Sequence, residues 1–133
     1  MALGDLSVVE SWQAAANARD KERLTALSAE DIEIIGPRGT GRGHGLLTAW
    51  LDRAGLATTP LRWFCGADGR VVVEQDAQWR SLESGDVLGR QRVGSRFRVR
   101  DGRVIQIERC DDLESALSAA GLDRDDEVVE RAH

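Results

Sequence analysis

The chain has 133 residues and a formal net charge of −5. That length suits one domain with a buried core, and the acidic balance argues against nucleic acid or an anionic membrane surface as a partner. No apolar run approaches the roughly 20 residues that span a bilayer, and the first residues lack the basic and apolar regions of a secretion signal. We therefore expect a cytoplasmic protein that binds neither nucleic acid nor membrane.

Residue counts narrow the chemistry further. The two cysteines, Cys65 and Cys110, lie in strand-like segments without the spacing of metal ligands, and tyrosine is absent. We expect both cysteines to be packing residues, and we expect no metal and no cofactor. A mechanism that needs a phenol donor is excluded.

The first half of the chain predicts three helices and one short strand. Apolar residues recur at helical spacing in two segments: Leu6, Val9, Trp12, Ala16 and Leu47, Trp50, Leu51, Ala54. Between these segments, Asp20 can cap a second, short helix. Residues 31–35 predict a strand, and the glycines of 36–45 predict an irregular loop. Gly55 is well placed to end the third helix.

From residue 61 onward the apolar pattern has a period of two, which is typical of strands. It predicts strands over 61–66, 71–81, 86–100 and 103–110, joined by turns at Asp68-Gly69, Ser84-Gly85 and Asp101-Gly102. A short helix over 113–120 follows. We assign residues 1–122 to one domain and expect residues 123–133 to form an acidic, flexible tail.

This order of elements predicts an α+β fold. Helices precede a four-stranded antiparallel meander, with one strand isolated among the helices. A strongly twisted sheet with helices on its concave side would enclose a pocket at one end.

Five segments resemble the SnoaL-like group of the nuclear transport factor 2-like superfamily, whose fold is also described as ketosteroid isomerase-like. They are Trp12–Asp20 (WQAAANARD), Asp31–Pro37 (DIEIIGP), Gly41–Trp50 (GRGHGLLTAW), Asp101–Ile107 (DGRVIQI) and Ala116–Leu122 (ALSAAGL). The resemblance implies a cone-shaped, strongly curved antiparallel sheet wrapped around N-terminal helices, and a homodimer formed through the outer sheet face. Members include isomerases, cyclases, dehydratases, epoxide hydrolases and binding proteins, so the fold names no reaction.

The catalytic patterns of these enzymes are missing from this chain. The resemblance to ketosteroid isomerase places a carboxylate base just before Pro37, where Gly36 stands. The positions that match the epoxide hydrolase pattern carry Glu33 with Ile35, and Gln75 with Ala77, instead of its catalytic residues. The paired histidines of the dehydratases are also absent, because His133 lies in the tail.

A ligand pocket is nevertheless predicted on the inner face of the sheet. Strand alternation puts Gln75, Gln91, Ser95 and Arg109 on this face, and if Glu33 points the same way, one pocket holds all five inside apolar walls. We predict that the ligand contacts eight residues of this pocket: Trp12, Trp50, Trp63, Gln75, Trp79, Gln91, Ser95 and Phe97. The candidate catalytic residues are Glu33, His44 and Arg109. Desolvation could make Glu33 a general base, and His44 could carry a proton at neutral pH.

Each candidate also has a purely structural interpretation. Glu33 could pair with Arg109, or it could face water with Ile32 and Ile34 inside, because a one-residue shift in strand phase reverses every side chain. His44 could be an exposed residue at a helix start. The arginines at 90, 92, 96, 98 and 100 share one strand face, which could be a solvated or dimer-forming surface neutralised by Glu74, Asp76 and Glu108.

Two functions remain open. The first is a cofactor-independent isomerase, cyclase or hydrolase that transfers a proton or adds water to a hydrophobic or partly polar small molecule. The second is a non-catalytic ligand-binding or dimerisation module of the same fold. Convergence of two titratable side chains inside the pocket would favour the enzyme.

Overall fold

The computed structural model of the chain describes residues 3–36, 39–53, 56–81 and 83–128. Its four α-helices within these ranges are α1 (Leu3–Asn17), α2 (Lys21–Ala26), α3 (His44–Arg53) and α4 (Leu113–Ala120). The strands are β1 (Ser28–Gly36), β2 (Gly39–Arg42), β3 (Leu56–Cys65), β4 (Arg70–Arg80), β5 (Val87–Arg100) and β6 (Arg103–Cys110). They form one sheet in the order β2-β1-β6-β5-β4-β3. The predicted α+β class is confirmed.

The long β5–β6 hairpin lies at the centre of this sheet, as its alternation predicts. Asp101 and Gly102 both have positive φ, 53° and 76°, which a tight turn between right-twisted strands requires. The arms pair from Arg100 opposite Arg103 to Gly94 opposite Cys110. A register shift between Arg98 and Val99 changes the phase of β6, so that Val104 is buried.

Two features of the sheet differ from the sequence prediction. The isolated strand β1 joins the sheet by pairing in parallel with β6, which makes the sheet mixed. Part of the predicted loop 36–45 forms the edge strand β2, which pairs antiparallel with β1 from Gly36 opposite Gly39 to Glu33 opposite Arg42. Glycine-rich segments carry no alternating apolar pattern, so backbone pairing of this kind leaves no signal in the sequence. Ala54 and Gly55, the predicted end of the third helix, lie outside the described residues.

The main core lies between the helices α1 to α3 and the inner face of the sheet. Its largest fully buried side chains include Leu6, Leu24, Ile32 and Leu47. Trp12 crosses this core, and its indole Nε1–H donates to the Ser28 hydroxyl at 2.9 Å. The apolar side chains of the three helices therefore cover part of the inner sheet face.

Helix α4 covers part of the outer sheet face and has its own core. Phe64, Val72 and Leu113 are buried there. The Asp112 side chain caps α4 by accepting from the Ser115 backbone N–H at 2.8 Å, and this hydrogen bond lowers the pKa of Asp112. At the other end, the Arg70 Nη1 donates to the Ala120 carbonyl at 3.0 Å. The outer face is therefore only partly free.

The first residues of the predicted tail pack against the sheet. Arg124–Asp126 form one turn of 3₁₀ helix with a capping box at Asp123. The Val128 backbone N–H donates to the Trp63 carbonyl at 2.8 Å. These contacts tie the end of the described chain to β3, and residues 129–133 lie outside the described residues.

Within the described residues, each helix is too short or too polar to cross a membrane.

Candidate functional site

A cavity of about 230 Å³ lies between α1, α3 and the inner face of the sheet. Its apolar lining comes from Trp12, Ala16, Ile34, Ile35, Leu47, Trp50, Phe97 and Ile107. Its polar lining comes from Gln13, Asn17, Thr58, Gln75, Ser95 and Arg109. The predicted hollow on the inner sheet face is thus present, and it is an apolar chamber with a few polar groups, which is typical of small-molecule sites.

Three aromatic side chains form one wall of the cavity. The rings of Trp12 and Trp50 are stacked with their centroids 6.5 Å apart, and Phe97 meets Trp12 edge-on at 5.4 Å. Because the indole N–H of Trp12 already donates to Ser28, Trp12 presents only its ring to a ligand. This wall suits a flat apolar molecule that stacks or packs edge-on.

Two glutamines meet inside the cavity. Gln13 of α1 donates through Nε2 to Oε1 of Gln75 on β4, at 2.7 Å. The residues are 7% and 3% exposed. Within the described residues, the buried Gln13 Oε1 accepts no hydrogen bond. The pair therefore leaves a buried acceptor unpaired, an arrangement that costs free energy.

Ser95 and Arg109 supply the other polar groups of the sheet wall. They are direct partners in the β5–β6 register, and Ser95 is 2% exposed. The Arg109 guanidinium lies over the Trp79 ring, 5.9 Å from its centroid, and desolvation lowers the pKa of Arg109. In the described part of the chain neither side chain has an ion pair or a hydrogen bond.

One rim of the cavity is fixed by Asn17, at the end of α1. Its side chain donates to the Thr58 carbonyl at 2.8 Å and accepts from the Thr58 backbone N–H at 3.0 Å. This double contact mimics a strand pairing and joins α1 to β3. Asn17 is therefore occupied by the protein's own backbone.

Of the two orientations left open for Glu33, the structure has the one outside the cavity lining. Ile32 and Ile34 face inward on β1, and alternation places Glu33 on the opposite side. The Glu33 carboxylate accepts from Gln106 Nε2, and its other oxygen pairs with Arg42 Nη2 at 3.0 Å. This orientation is the alternative in which Glu33 faces water and Ile32 and Ile34 face inward. None of these interactions joins Glu33 to Arg109.

His44 also lies outside the cavity lining. It is the first residue of α3, and its Nε2 lies 3.0 Å from the Ser28 carbonyl oxygen. Because a carbonyl only accepts, Nε2 carries the proton in this contact. His44 therefore has a fixed partner at the start of α3 and is not among the described residues that line the cavity.

Three of the predicted ligand-binding residues do not line the cavity. Trp63 is part of the main core, Trp79 lies under the Arg109 guanidinium, and Gln91 is exposed with its Nε2 3.5 Å from the Asp111 carbonyl. The five that do line it are Trp12, Trp50, Gln75, Ser95 and Phe97. Among the candidate catalytic residues, Arg109 alone lines it.

The arginine face of β5 is partly neutralised by neighbouring strands, as its alternation suggests. Arg96 bonds Glu108 at 2.6 Å and Gln106 at 2.8 Å, and Arg92 lies opposite Asp76 in the register. Helix α4 packs on this face at Gly94. The arginines are thus divided into separate groups by a helix instead of forming one open platform.

The sequence analysis missed Gln13, Asn17 and Thr58. Gln13 lies seven residues after Leu6 and four after Val9, so it falls on the apolar stripe of α1. A polar residue on such a stripe indicates a buried hydrogen-bonding role, and this signal could have found it. Thr58 belongs to the part of β3 that the period-two pattern did not predict.

The titratable groups of the cavity are few. Of the described lining residues only Arg109 is charged, and none is Asp, Glu, His, Lys or Cys. The described residues also contain no group of three or more His, Cys, Asp and Glu placed to hold a metal ion. The described lining therefore offers hydrogen bonds and one positive charge.

Comparisons with solved structures support the fold. A nuclear transport factor 2-like protein from Burkholderia xenovorans is 29% identical, with 90% of this chain and 97% of that chain covered and a TM-score of 0.68. TerC co-crystallised with polyporic acid is 22% identical, with coverages of 88% and 97% and a TM-score of 0.70. RV0760c from Mycobacterium tuberculosis, in complex with estradiol-17beta-hemisuccinate, is 21% identical, with coverages of 84% and 95% and a TM-score of 0.70.

The sequence itself also matches a family. A search of curated proteins finds no match. The family model described as the SnoaL-like domain, however, matches residues 9–107, well over half of the chain. Together with the mixed sheet and the cavity on its inner face, this match makes the chain a member of the SnoaL-like domain family.

Proposed function

We propose that the protein binds a flat, largely apolar small molecule in the cavity, without acting on it chemically. The observation that carries this proposal is the composition of the lining: an aromatic wall, amide and hydroxyl groups, one guanidinium and, among the described residues, no general base. Proton transfer needs a group that takes up the proton within hydrogen-bond reach of the ligand. Glu33 and His44, the two candidate bases, both face other partners.

The related structures support binding as the general role. TerC was crystallised with polyporic acid, and RV0760c with estradiol-17beta-hemisuccinate. Polyporic acid and estradiol-17beta-hemisuccinate are both organic molecules, and the proteins crystallised with them share the fold of this chain. Identities of 22% and 21% establish the fold alone, so an organic ligand of this kind is proposed for this chain and not inferred from the two relatives.

A pair of alanine substitutions on α1 tests the proposal. Ala16 lines the cavity, whereas Ala14 is exposed on the same helix. Ala16→Phe should fill the ligand space and weaken binding of naphthalene-2-carboxamide, a neutral flat probe, by at least about tenfold. Ala14→Phe should leave its affinity unchanged. Titration can follow the quenching of tryptophan fluorescence, because Trp12 and Trp50 form the wall.

Two results would contradict the proposal. Equal loss of affinity in the two phenylalanine variants would place the binding site outside the cavity. Recovery of a chemically altered molecule after incubation with the protein would favour the enzymatic alternative. Native mass spectrometry of the freshly purified protein, which detects a retained small molecule, supplies the natural ligand for that incubation.

The homodimer expected from the family stays a prediction. Helix α4 covers the middle of the outer sheet face, and Arg96 is already bound to Glu108 and Gln106. We therefore propose that association would use the start of β5, where Leu88 is 71% exposed. Leu88→Glu should then lower the mass measured by sedimentation, and a mass that equals the monomer in the unsubstituted protein would reject the dimer.

A further inference from the structure

We propose that the ligand carries a carboxylate, and that Arg109 together with Ser95 binds it. This inference rests on the proposed function and adds the chemical class of the ligand. It depends on one unusual feature of the cavity: a guanidinium that borders an apolar chamber and has no acidic partner in the described part of the chain.

In the described part of the chain, Arg109 has neither an ion pair nor a hydrogen bond. Three other arginines of the sheet are half-buried: Arg96 bonds Glu108 at 2.6 Å, and Arg70 and Arg98 donate to backbone carbonyls. Arg109 instead lies over Trp79. Arg109 is exposed, yet it lines the cavity and bonds none of the described residues, so its guanidinium is available at the edge of the apolar space to bind an anionic ligand.

A hydroxyl group lies on the neighbouring strand beside Arg109. Ser95 is the direct register partner of Arg109 and lines the same cavity. Its hydroxyl has no hydrogen bond to the described residues, although the residue is 2% exposed. A guanidinium and a hydroxyl facing one space together donate to an anionic oxygen, and the planar fork of arginine matches a carboxylate.

The apolar part of the cavity defines the rest of the ligand. The aromatic wall of Trp12, Trp50 and Phe97 shares the cavity with this donor pair. A molecule that satisfies both needs a flat apolar body with a carboxylate at one end. The absence of Asp and Glu from the described lining removes the repulsion that would oppose such an anion.

Matched pairs of probes test this inference. We would compare benzoate, 2-naphthoate and biphenyl-4-carboxylate with their primary amides, which keep the ring and the planar head group but lose the charge. At pH 7 the acids are ionised. In the unsubstituted protein at least one acid should bind at least about tenfold more tightly than its amide, and this preference should weaken at high salt.

Three variants locate the effect. Arg109→Gln should reduce the preference for the acid to within about twofold while the amide still binds, because the apolar wall is intact. Arg109→Lys, which keeps the charge but loses the fork, should retain part of the preference. Arg92→Gln changes the net charge by the same amount on the outer face, where Arg92 lies opposite Asp76, and should leave the preference unchanged.

The possible failures separate the two proposals. If the amides bind as tightly as the acids in the unsubstituted protein, the carboxylate inference is overturned and the proposed function stands. An equal loss of preference in Arg92→Gln and Arg109→Gln would also overturn it, since the effect would be one of overall charge. If no acid and no amide binds, the proposed function itself is contradicted. The comparison in the unsubstituted protein does not depend on any variant folding.

Discussion

Gln13 and Gln75 join α1 to β4 through one hydrogen bond of 2.7 Å inside the cavity. The bond satisfies the Gln75 carbonyl but leaves the Gln13 carbonyl oxygen without a donor among the described residues. The helix and the sheet are therefore connected, at the ligand space, by a polar contact that is only half satisfied. The contribution of this contact to the stability of the fold can be measured separately from ligand binding.

A double-mutant cycle measures that contact. Gln13→Met should cost about 1–3 kcal/mol, because it leaves the buried Gln75 carbonyl unpaired. The double variant Gln13→Met with Gln75→Met should be close to the unsubstituted protein in stability, because two apolar groups of similar shape replace the pair. Urea denaturation of the four proteins checks this. Additive losses in the double variant would mean that the two amides stabilise the fold independently.

Arg109→Gln should leave the free energy of unfolding within about 1 kcal/mol of the unsubstituted value. The substitution loses the contact with Trp79, which is worth about 0.5–1 kcal/mol at an exposed site such as this one, and it breaks no ion pair with the described residues. Thermal unfolding without added ligand is the measurement. A loss of several kcal/mol would identify Arg109 as a structural residue instead of a ligand-binding one.

Gly94→Ala should destabilise the protein by about 1–3 kcal/mol. A Cβ at this position of β5 would lie 2.6 Å from the Asp112 carbonyl oxygen and 2.9 Å from the Ala116 Cβ, so α4 would have to move. Gly89→Ala is the matched control on the same strand, because a Cβ there meets nothing within 4 Å. Equal stabilities of the two variants would show that α4 does not pack on β5 this closely.

Glu33→Gln should leave ligand affinity unchanged and should lower stability by no more than about 1 kcal/mol. The Glu33 carboxylate pairs with the exposed Arg42 and accepts from Gln106 on the face opposite the cavity, and pairs of this kind contribute little. Titration with naphthalene-2-carboxamide and with 2-naphthoate, beside a thermal unfolding curve, measures both effects. A tenfold loss of affinity would return Glu33 to the ligand site.

The sequence predicted the parts of this fold that depend on regular patterns. The alternation of 86–100 and 103–110 with a turn at Asp101-Gly102 predicts the central hairpin, and the structure places β6 at Arg103–Cys110. Alternation also placed Ser95, Phe97 and Arg109 on one face. Each of these predictions needs only local geometry, because successive side chains of a strand point to opposite sides.

The parts that failed depend on contacts between distant segments. The phase of β1 decides whether Glu33 or Ile34 faces the cavity, and in a short strand with apolar residues at 32, 34 and 35 the pattern alone does not decide it. The parallel pairing of β1 with β6 and the edge strand β2 are tertiary features. The partner of His44 leaves no local signal in the sequence, since the Ser28 carbonyl lies sixteen residues earlier in the chain.

A crystal structure of the protein with bound 2-naphthoate tests the central claim most directly. We predict that the naphthalene ring lies in the cavity against Trp12 and Trp50, with its carboxylate within hydrogen-bond distance, about 2.7–2.9 Å, of the Arg109 guanidinium. Electron density for the ring on the outer sheet face, or a carboxylate directed away from Arg109, would contradict the account.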